Sequence, residues 1–307
     1  MSDMKVNKYF PGFTPKAITF SIDDGSLNYD KIFIDIVRPA GIKGTFNLFF
    51  GRGKRAISDE EYREFYRGFE ISNHCNRHPF AFNSEKEYHF TDEVFNKETA
   101  DTNLVYKSDR EGVYLIYHRS YWATLATNEA YLELAEEGRR DIEEIFGKGS
   151  VRGFVWPYGR QKNEELFEEL KKAGYASIRR AYSDSFSVPE DKMDWGVNAD
   201  STNFETKILE FDDLSDDGEL KYFCFGLHSV DFERSNKWNE LREFASKYGN
   251  RPSDFWYSGV EDIFEYDRAM RSLEITEEKI YNPSDKELYI SVNDKKYVLK
   301  PKSEAVI

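Results

Sequence analysis

The chain has 307 residues, more than one small module needs and suited to a single α/β barrel of ~250 residues with an appended segment. A hydrophobic share of 39%, with 25 Phe and 20 Tyr, supplies a real core and excludes a disordered chain. Fifty-seven acidic residues against 43 basic ones leave a net charge of -14, a field that repels phosphate backbones and anionic headgroups, so neither nucleic acid nor a membrane surface is expected as a partner.

Only Cys75 and Cys224 are present, too few for a disulfide scaffold, although a single bridge between them stays open. Met1 to Phe10 has no apolar secretory core, and nowhere do about 18 apolar residues run together. A reduced, cytoplasmic protein is expected for the chain as it stands; a secreted chain trimmed of its leader would look the same. Nothing in the sequence fixes the oligomeric state.

The first β-branched and aromatic run, Lys16 to Ile22, stops at Asp23-Asp24-Gly25 and predicts a buried strand with polar residues at its end. Ile32, Phe33, Ile36 and Val37 stand at helical spacing before Pro39 and Gly41, and Thr45 to Phe50 predicts a second strand. Asp59 to Tyr66 reads as helix and Phe69 to Ser72 as strand, followed at once by His74, His78 and Pro79. Residues 80 to 128 have weak periodicity and exceed a normal connection, which predicts an insertion or lid with structure of its own. Then come an amphipathic helix, Glu129 to Phe146, and a strand, Val151 to Trp156, ending at Pro157-Tyr158-Gly159. Glu164 to Ala173 is helical with Gly174 as its stop, and Tyr175 to Ile178 is the next strand. Tyr222 to Leu227 precedes His228, Asn239 to Tyr248 is helical, and Phe255 to Ser258 is the last strand of this kind.

At least six such alternations predict parallel β/α architecture with chemistry at the carboxyl ends of the strands, where the polar clusters lie. Beyond residue 272 short strands separated by Asn-Pro-Ser-Asp and Asn-Asp turns predict a small antiparallel β appendage. The expected organisation is a catalytic domain over 1–272, interrupted by 80–128, and the appendage over 273–307.

His74 and His78 share one face only if their segment is helical, though a loop can also converge them; alone, they read as surface or capping histidines. Asp23-Asp24-Gly25 alone reads as an ordinary turn. Together, two imidazoles and one carboxylate make an open metal site, and the second carboxylate is left free to act as a base.

In five ordered places between residue 16 and about 265 the sequence resembles the polysaccharide deacetylase family (NodB-homology domain, carbohydrate esterase family 4). Ser21 to Gly25, SIDDG, is similar to the family's TFDDG, and His74-Cys75-Asn76-Arg77-His78-Pro79 to its H-S/T-x-x-H-P. Trp156 to Gly159, Asp194-Trp195 and Leu227-His228 resemble the third, fourth and fifth motifs. The resemblance implies a distorted (β/α) barrel of the NodB-homology type. It further implies that Asp24, His74 and His78 hold a divalent metal, with zinc favoured and cobalt, nickel or iron also accepted by such ligands. Asp23 becomes the general base, His228 the general acid, and Asp194 the residue that orients His228. The backbone N–H of Tyr158 is the expected oxyanion donor, with Leu227, Trp195 and Trp156 lining the substrate pocket.

Two positions depart from the family pattern. Val155 stands where the third motif usually has an arginine that pairs with the base, so Arg179 or Arg180 on a neighbouring strand, or less readily Arg152, is needed to replace it. Cys75 stands where the family has Ser or Thr between the histidines, and reads as a small buried side chain rather than a ligand. His89 and His118 match no motif. Tyr117, Tyr121 and Trp122 read as core rather than as sugar-stacking groups in so aromatic a chain. The expected activity is hydrolytic removal of acetyl groups from a carbohydrate substrate, N-deacetylation of an amino sugar foremost. Hydrolysis of another C–N bond, such as that of an N-formyl sugar or cyclic amide, O-deacetylation of xylan, and a non-catalytic carbohydrate-binding relative are the alternatives.

Overall fold

The computed structural model describes residues 4–51, 55–83, 85–159 and 163–307. Its central sheet has nine strands: β1 (Lys16–Asp23), β2 (Thr45–Leu48), β3 (Glu70–Asn73), β4 (Gly153–Val155), β5 (Ser177–Tyr182), β6 (Trp195–Val197), β7 (Ala199–Asp200), β8 (Lys221–His228) and β9 (Phe255–Tyr257). All pair in parallel, in the order β6-β5-β4-β3-β2-β1-β8-β7. β9 adds to the first half of β1, at Lys16 to Ile18, below the stretch Ser21 to Asp23 that pairs with β2. The edge strands β6 and β7 are consecutive in the chain, so the sheet curls into a nearly closed barrel whose seam is Asn198. This side chain accepts from the Cys224 N–H at 2.6 Å and donates to the Ser185 carbonyl at 3.0 Å.

Alternation along β1 explains what faces where. Ile18, Phe20 and Ile22 belong to the apolar cluster with Phe33, Ile34 and Val37 of the helix Leu27–Val37, whereas Ser21 and Asp23 bond Asn47 and Arg179 inside the barrel. The phenylalanine excess goes into this outer layer: Phe20 meets Phe33 edge-on at 4.9 Å and Phe46 at 5.3 Å, and Phe225 meets Phe244 at 5.0 Å. β8 can lie close to β1 because Gly226 has no side chain: a Cβ there would stand 2.1 Å from the Ser21 carbonyl oxygen.

The segment 80–128 contains a sheet of five short strands, the longest being Val113–His118 and Tyr121–Ala126, which form an antiparallel hairpin. It returns to the barrel through the helix Asn128–Phe146, which starts where the Thr127 hydroxyl accepts from the Ala130 N–H.

The C-terminal strands form two antiparallel sheets, and the N-terminal strand Val6–Tyr9 joins one of them by pairing with Leu288–Val292. The ladder is recruited from both ends of the chain, and a second apolar cluster on the helix Val260–Arg271 fastens it to the barrel. Cys75 and Cys224 are both free and buried, so no bridge links them. No helix among the described residues is long and apolar enough to cross a membrane.

Candidate active site

The carboxyl ends of β1, β3, β4, β5 and β8 surround a cavity of about 580 Å³. Backbone strain concentrates there: Asp24, Cys75, Arg77, His78, Tyr158 and Leu227 all have positive φ, from 46° at His78 to 83° at Leu227. Non-glycine residues hold such conformations only where their surroundings fix them. Asn73 and Asn76 do so for the histidine loop. Asn73 Oδ1 accepts from the Cys75 N–H at 3.0 Å while its amide donates to the Ala135 carbonyl at 2.6 Å. Asn76 Oδ1 accepts from the Phe50 N–H at 3.1 Å, and its amide donates to Asp141 at 2.6 Å.

Asp24, His74 and His78 converge as a three-donor cluster. His74 Nε2 lies 3.1 Å from His78 Nε2 and 3.4 Å from Asp24 Oδ1, which is 3.5 Å from His78 Nε2. A divalent ion with ligands at about 2.1 Å, at angles between octahedral and tetrahedral, spans ligand edges of about 3.0–3.4 Å. The triangle therefore has the dimensions of a metal face, and its donors are those a borderline cation takes.

The remaining hydrogen bonds agree with that fit. His74 Nδ1 is 2.9 Å from the Val155 carbonyl, so it carries the proton and leaves Nε2 bare. Burial, with the His74 imidazole beside it, pushes His78 down to about 3, which keeps it neutral. Burial drives the Asp24 carboxyl up, but the neighbouring imidazoles, His74 first and then His228 and His78, outweigh it and hold Asp24 well below the usual carboxylate range. Its Oδ1 is buried without a hydrogen-bond partner. The Nε2 atoms of both imidazoles thus face a carboxylate oxygen without a hydrogen-bond partner, a gap that suits positive charge.

Asp23 is bound differently. Its Oδ1 accepts from Asn47 Nδ2 at 2.7 Å, and its Oδ2 accepts from Arg179 Nη2, which completes a buried ion pair. Arg179 also donates from Nη1 to Ser21 Oγ at 2.9 Å. It supplies the arginine that Val155 cannot, because β4 and β5 set Val155 and Arg179 side by side in register. Arg152 lies at the amino end of the barrel with Glu70, Asp262 and Glu265. Arg180 approaches Asp194 instead, at 3.5 Å.

His228 completes the cluster, its Nε2 standing 3.7 Å from Asp24 Oδ2. Burial would lower its pKa, but the hydrogen bond to Asp231 and the charges of Asp23 and Asp24 prevail and raise it to about 9. The carboxylate on His228 Nδ1 is Asp231, at 2.8 Å, and this corrects the expectation for Asp194. Asp231 sits on the first turn of the helix Ser229–Arg234, three residues after His228, and that spacing was the only sequence signal for it. The second correction concerns Trp195. It packs edge-on against Phe264 at 5.1 Å and donates to Ser177 Oγ at 3.2 Å, away from the cavity it was expected to wall.

Leu227, Trp156 and Tyr158 line the cavity. Among the described residues the Tyr158 N–H donates to no protein acceptor. Its ring lies between His78, edge-on at 4.4 Å, and Phe80, stacked at 3.6 Å. Arg119, which had no sequence signal, and Tyr121, which was expected in the core, come from the insertion and also line the cavity. Cys75 is buried and lies outside the three-donor cluster.

A family model for polysaccharide deacetylase matches residues 12–178, which contain Asp23, Asp24 and both cluster histidines. No curated protein matches the chain in sequence. Among solved structures, a protein of Mycobacterium smegmatis assigned to the polysaccharide deacetylases aligns at 16% identity, over 88% of this chain and 98% of its own, with a TM-score of 0.53. The Xyl-CE4 domain of a multidomain xylanase from the hindgut metagenome of Trinervitermes trinervoides aligns at 16% identity over 83% and 91%, with a TM-score of 0.46. The peptidoglycan deacetylase PdaC from Bacillus subtilis aligns at 14% identity over 87% and 94%, with a TM-score of 0.43.

Proposed function

Because the chain belongs to the polysaccharide deacetylase family, we propose that it is a metal-dependent hydrolase that takes acetyl groups off a carbohydrate, an N-acetylated amino sugar foremost. The observation that carries this reading is the division of labour between two adjacent aspartates: Asp24 faces the imidazole pair, while Asp23 is turned inward onto Arg179 and Asn47. The preference for nitrogen over oxygen esters rests on analogy within the family.

Asp24, His74 and His78 would hold the ion, zinc for preference and cobalt, nickel or iron as acceptable substitutes. When bound, it supplies a Lewis acid beside the acyl carbon and lowers the pKa of an attacking water. Asp23, fixed at both oxygens, takes the proton from that water. The Tyr158 N–H donates to the acyl oxygen as charge develops there. His228, kept protonated by Asp231, gives its Nε2 proton to the departing amine, and Leu227 contacts the acetyl methyl. Trp156 forms part of the cavity wall. The Arg179–Asp23 pair favours turnover over the non-catalytic alternative, because it fills the position that Val155 left open.

The test is acetate or formate release from acetylated chito-oligosaccharides, acetylated xylan and formylated amino sugars, with metal content measured in parallel. Asp23→Asn should keep the metal and lose at least about 10³-fold in kcat, since the base acts only in the reaction. His78→Ala should lose both metal and turnover. Full activity in Asp23→Asn removes the base assignment, and a metal-loaded protein that deacylates none of these substrates removes the function.

A further inference from the structure

In a chain of net charge -14 the cavity is lined by four arginines, Arg119, Arg179, Arg180 and Arg234, and by two carboxylates, Asp23 and Asp24. Arg179 is consumed by Asp23. Arg180 stands 3.5 Å from Asp194 and Arg234 3.1 Å from Asp231, both guanidiniums largely open to solvent. Arg119 makes no hydrogen bond or ion pair with any described residue. A cation without an acid, on the wall of a cavity in an acidic protein, is where an anionic group of a ligand would be drawn.

Arg119 is also held in place. It lies in the two-residue turn of the hairpin whose strands pair His118 with Tyr121, with φ at 57°. The His118 ring packs on Phe80 at 4.7 Å, and Phe80 is stacked on Tyr158 at 3.6 Å with an interplanar angle of 3°. The hairpin tip is thus fastened to the turn whose N–H is the oxyanion donor of the proposed reaction. The docked turn fixes where the Arg119 backbone stands, and the planar fork of its guanidinium keeps the ordering cost per hydrogen bond low when it pairs with a carboxylate or phosphate.

We propose that the insertion builds an anion subsite at the mouth of the cavity, centred on Arg119 with Arg180 beside the same space, and that the substrate is an acetylated sugar carrying a carboxylate or phosphate near the scissile acyl group. This deepens the deacetylase reading and rests on it. The planar fork of arginine suits both anions.

The test uses three matched acetylated disaccharides, one with a uronic carboxylate, one with that carbon reduced to the alcohol, and one phosphorylated there. The wild-type protein should favour at least one anionic form over the neutral one by about tenfold in kcat/KM at low salt, the favoured form identifying the anion, and the preference should shrink at 0.5 M salt. Arg119→Ala should lower that ratio about tenfold, and Arg119→Lys should restore part of it. A ratio near one in the wild type, or a ratio that Arg119→Ala leaves unchanged, overturns the proposal. If none of the three releases acetate, calorimetric titration with the deacetylated forms decides the subsite separately, and the deacetylase reading falls only when the substrates named above are left intact as well. Tighter anionic binding that Arg119→Ala removes sustains it, and equal binding of all forms refutes it.

Discussion

The two ends of the barrel use the same residue types to opposite ends. At the amino end Arg152 pairs at once with Glu70, Asp262 and Glu265 at 2.7–2.9 Å, while Thr45 and the Glu261 N–H satisfy the other oxygen of Glu70. At the carboxyl end Arg179 closes off only Asp23, and the cluster next to it keeps Asp24 Oδ1 and two imidazole nitrogens turned toward one another. Chain geometry differs in the same sense, since six of the thirteen described non-glycine residues with positive φ adjoin the second cluster and none the first. A network whose cation is met by three carboxylates reads as structure, and one whose donor atoms face a shared gap reads as a site.

Breaking the closed network should produce the largest change in stability. Arg152→Met leaves Glu70, buried and already pushed up by that burial, without its cation, and should lower unfolding free energy by about 3 kcal/mol in chemical denaturation. The kcat of the protein that stays folded should not move. A mutant as stable as the wild type would mean that the amino-end network contributes nothing.

At the carboxyl end the effect should fall on rate instead. Asp231→Asn removes the carboxylate that holds His228, and kcat should drop about 10–100-fold with little change in melting temperature. Asp194→Asn, paired with exposed Arg180, should change kcat by less than about threefold. If the two variants exchange these effects, Asp194 is the orienting residue after all.

Asp30 gives the smallest and most diagnostic change. It is buried under the loops of the site, accepting from Tyr66 at 2.7 Å and from Ser229 at 2.6 Å. Burial raises its carboxyl to about 6, and the charges of Asp24 and Asp23 add to this against the two hydroxyl donors. A folded-state value above the unfolded one means that the folded protein holds the proton more tightly. This stabilisation is present in acid and is lost as pH rises through about 4 to 6. Asp30→Asn should therefore gain about 1–2 kcal/mol at pH 8 relative to the wild type and little at pH 4. A gain independent of pH, seen in parallel denaturation curves, would reject the buried charge as its cause.

Much of the barrel was legible because its strands alternate apolar and polar positions and end in Asp, Gly, His or Pro. β1, β2, β3 and β8 fall within a residue or two of expectation. β6 and β7 have three and two residues, too short to carry a period, and they were missed. The helix Val260–Arg271 does carry one, in Val260, Ile263, Phe264 and Met270, and belonged among the predicted elements.

Within the site, residues that lie inside motifs were identified, whereas those that depend on alignment between strands were not fixed. Nothing in the sequence says that Val155 and Arg179 are neighbours until β4 and β5 are paired, and so three arginines stayed open. Asp231 was obscured by Asp194, which has the family's Asp-Trp adjacency but faces Arg180. Phe80 and Arg119 required the insertion's own fold, for which the sequence offered only weak periodicity.

The seam at Asn198 makes the molecule a split ring rather than a hoop. Between β6 and β7 the circumference is closed by the side chain of Asn198, its backbone N–H on the Cys224 carbonyl at 2.9 Å and the Tyr222 hydroxyl on the Gly196 carbonyl at 3.3 Å instead of a strand ladder, so widening the barrel there separates no long pair of strands. Opening the ring there would break those few bonds, whereas the ladder that sets Asp23 beside His228 lies on unbroken strands.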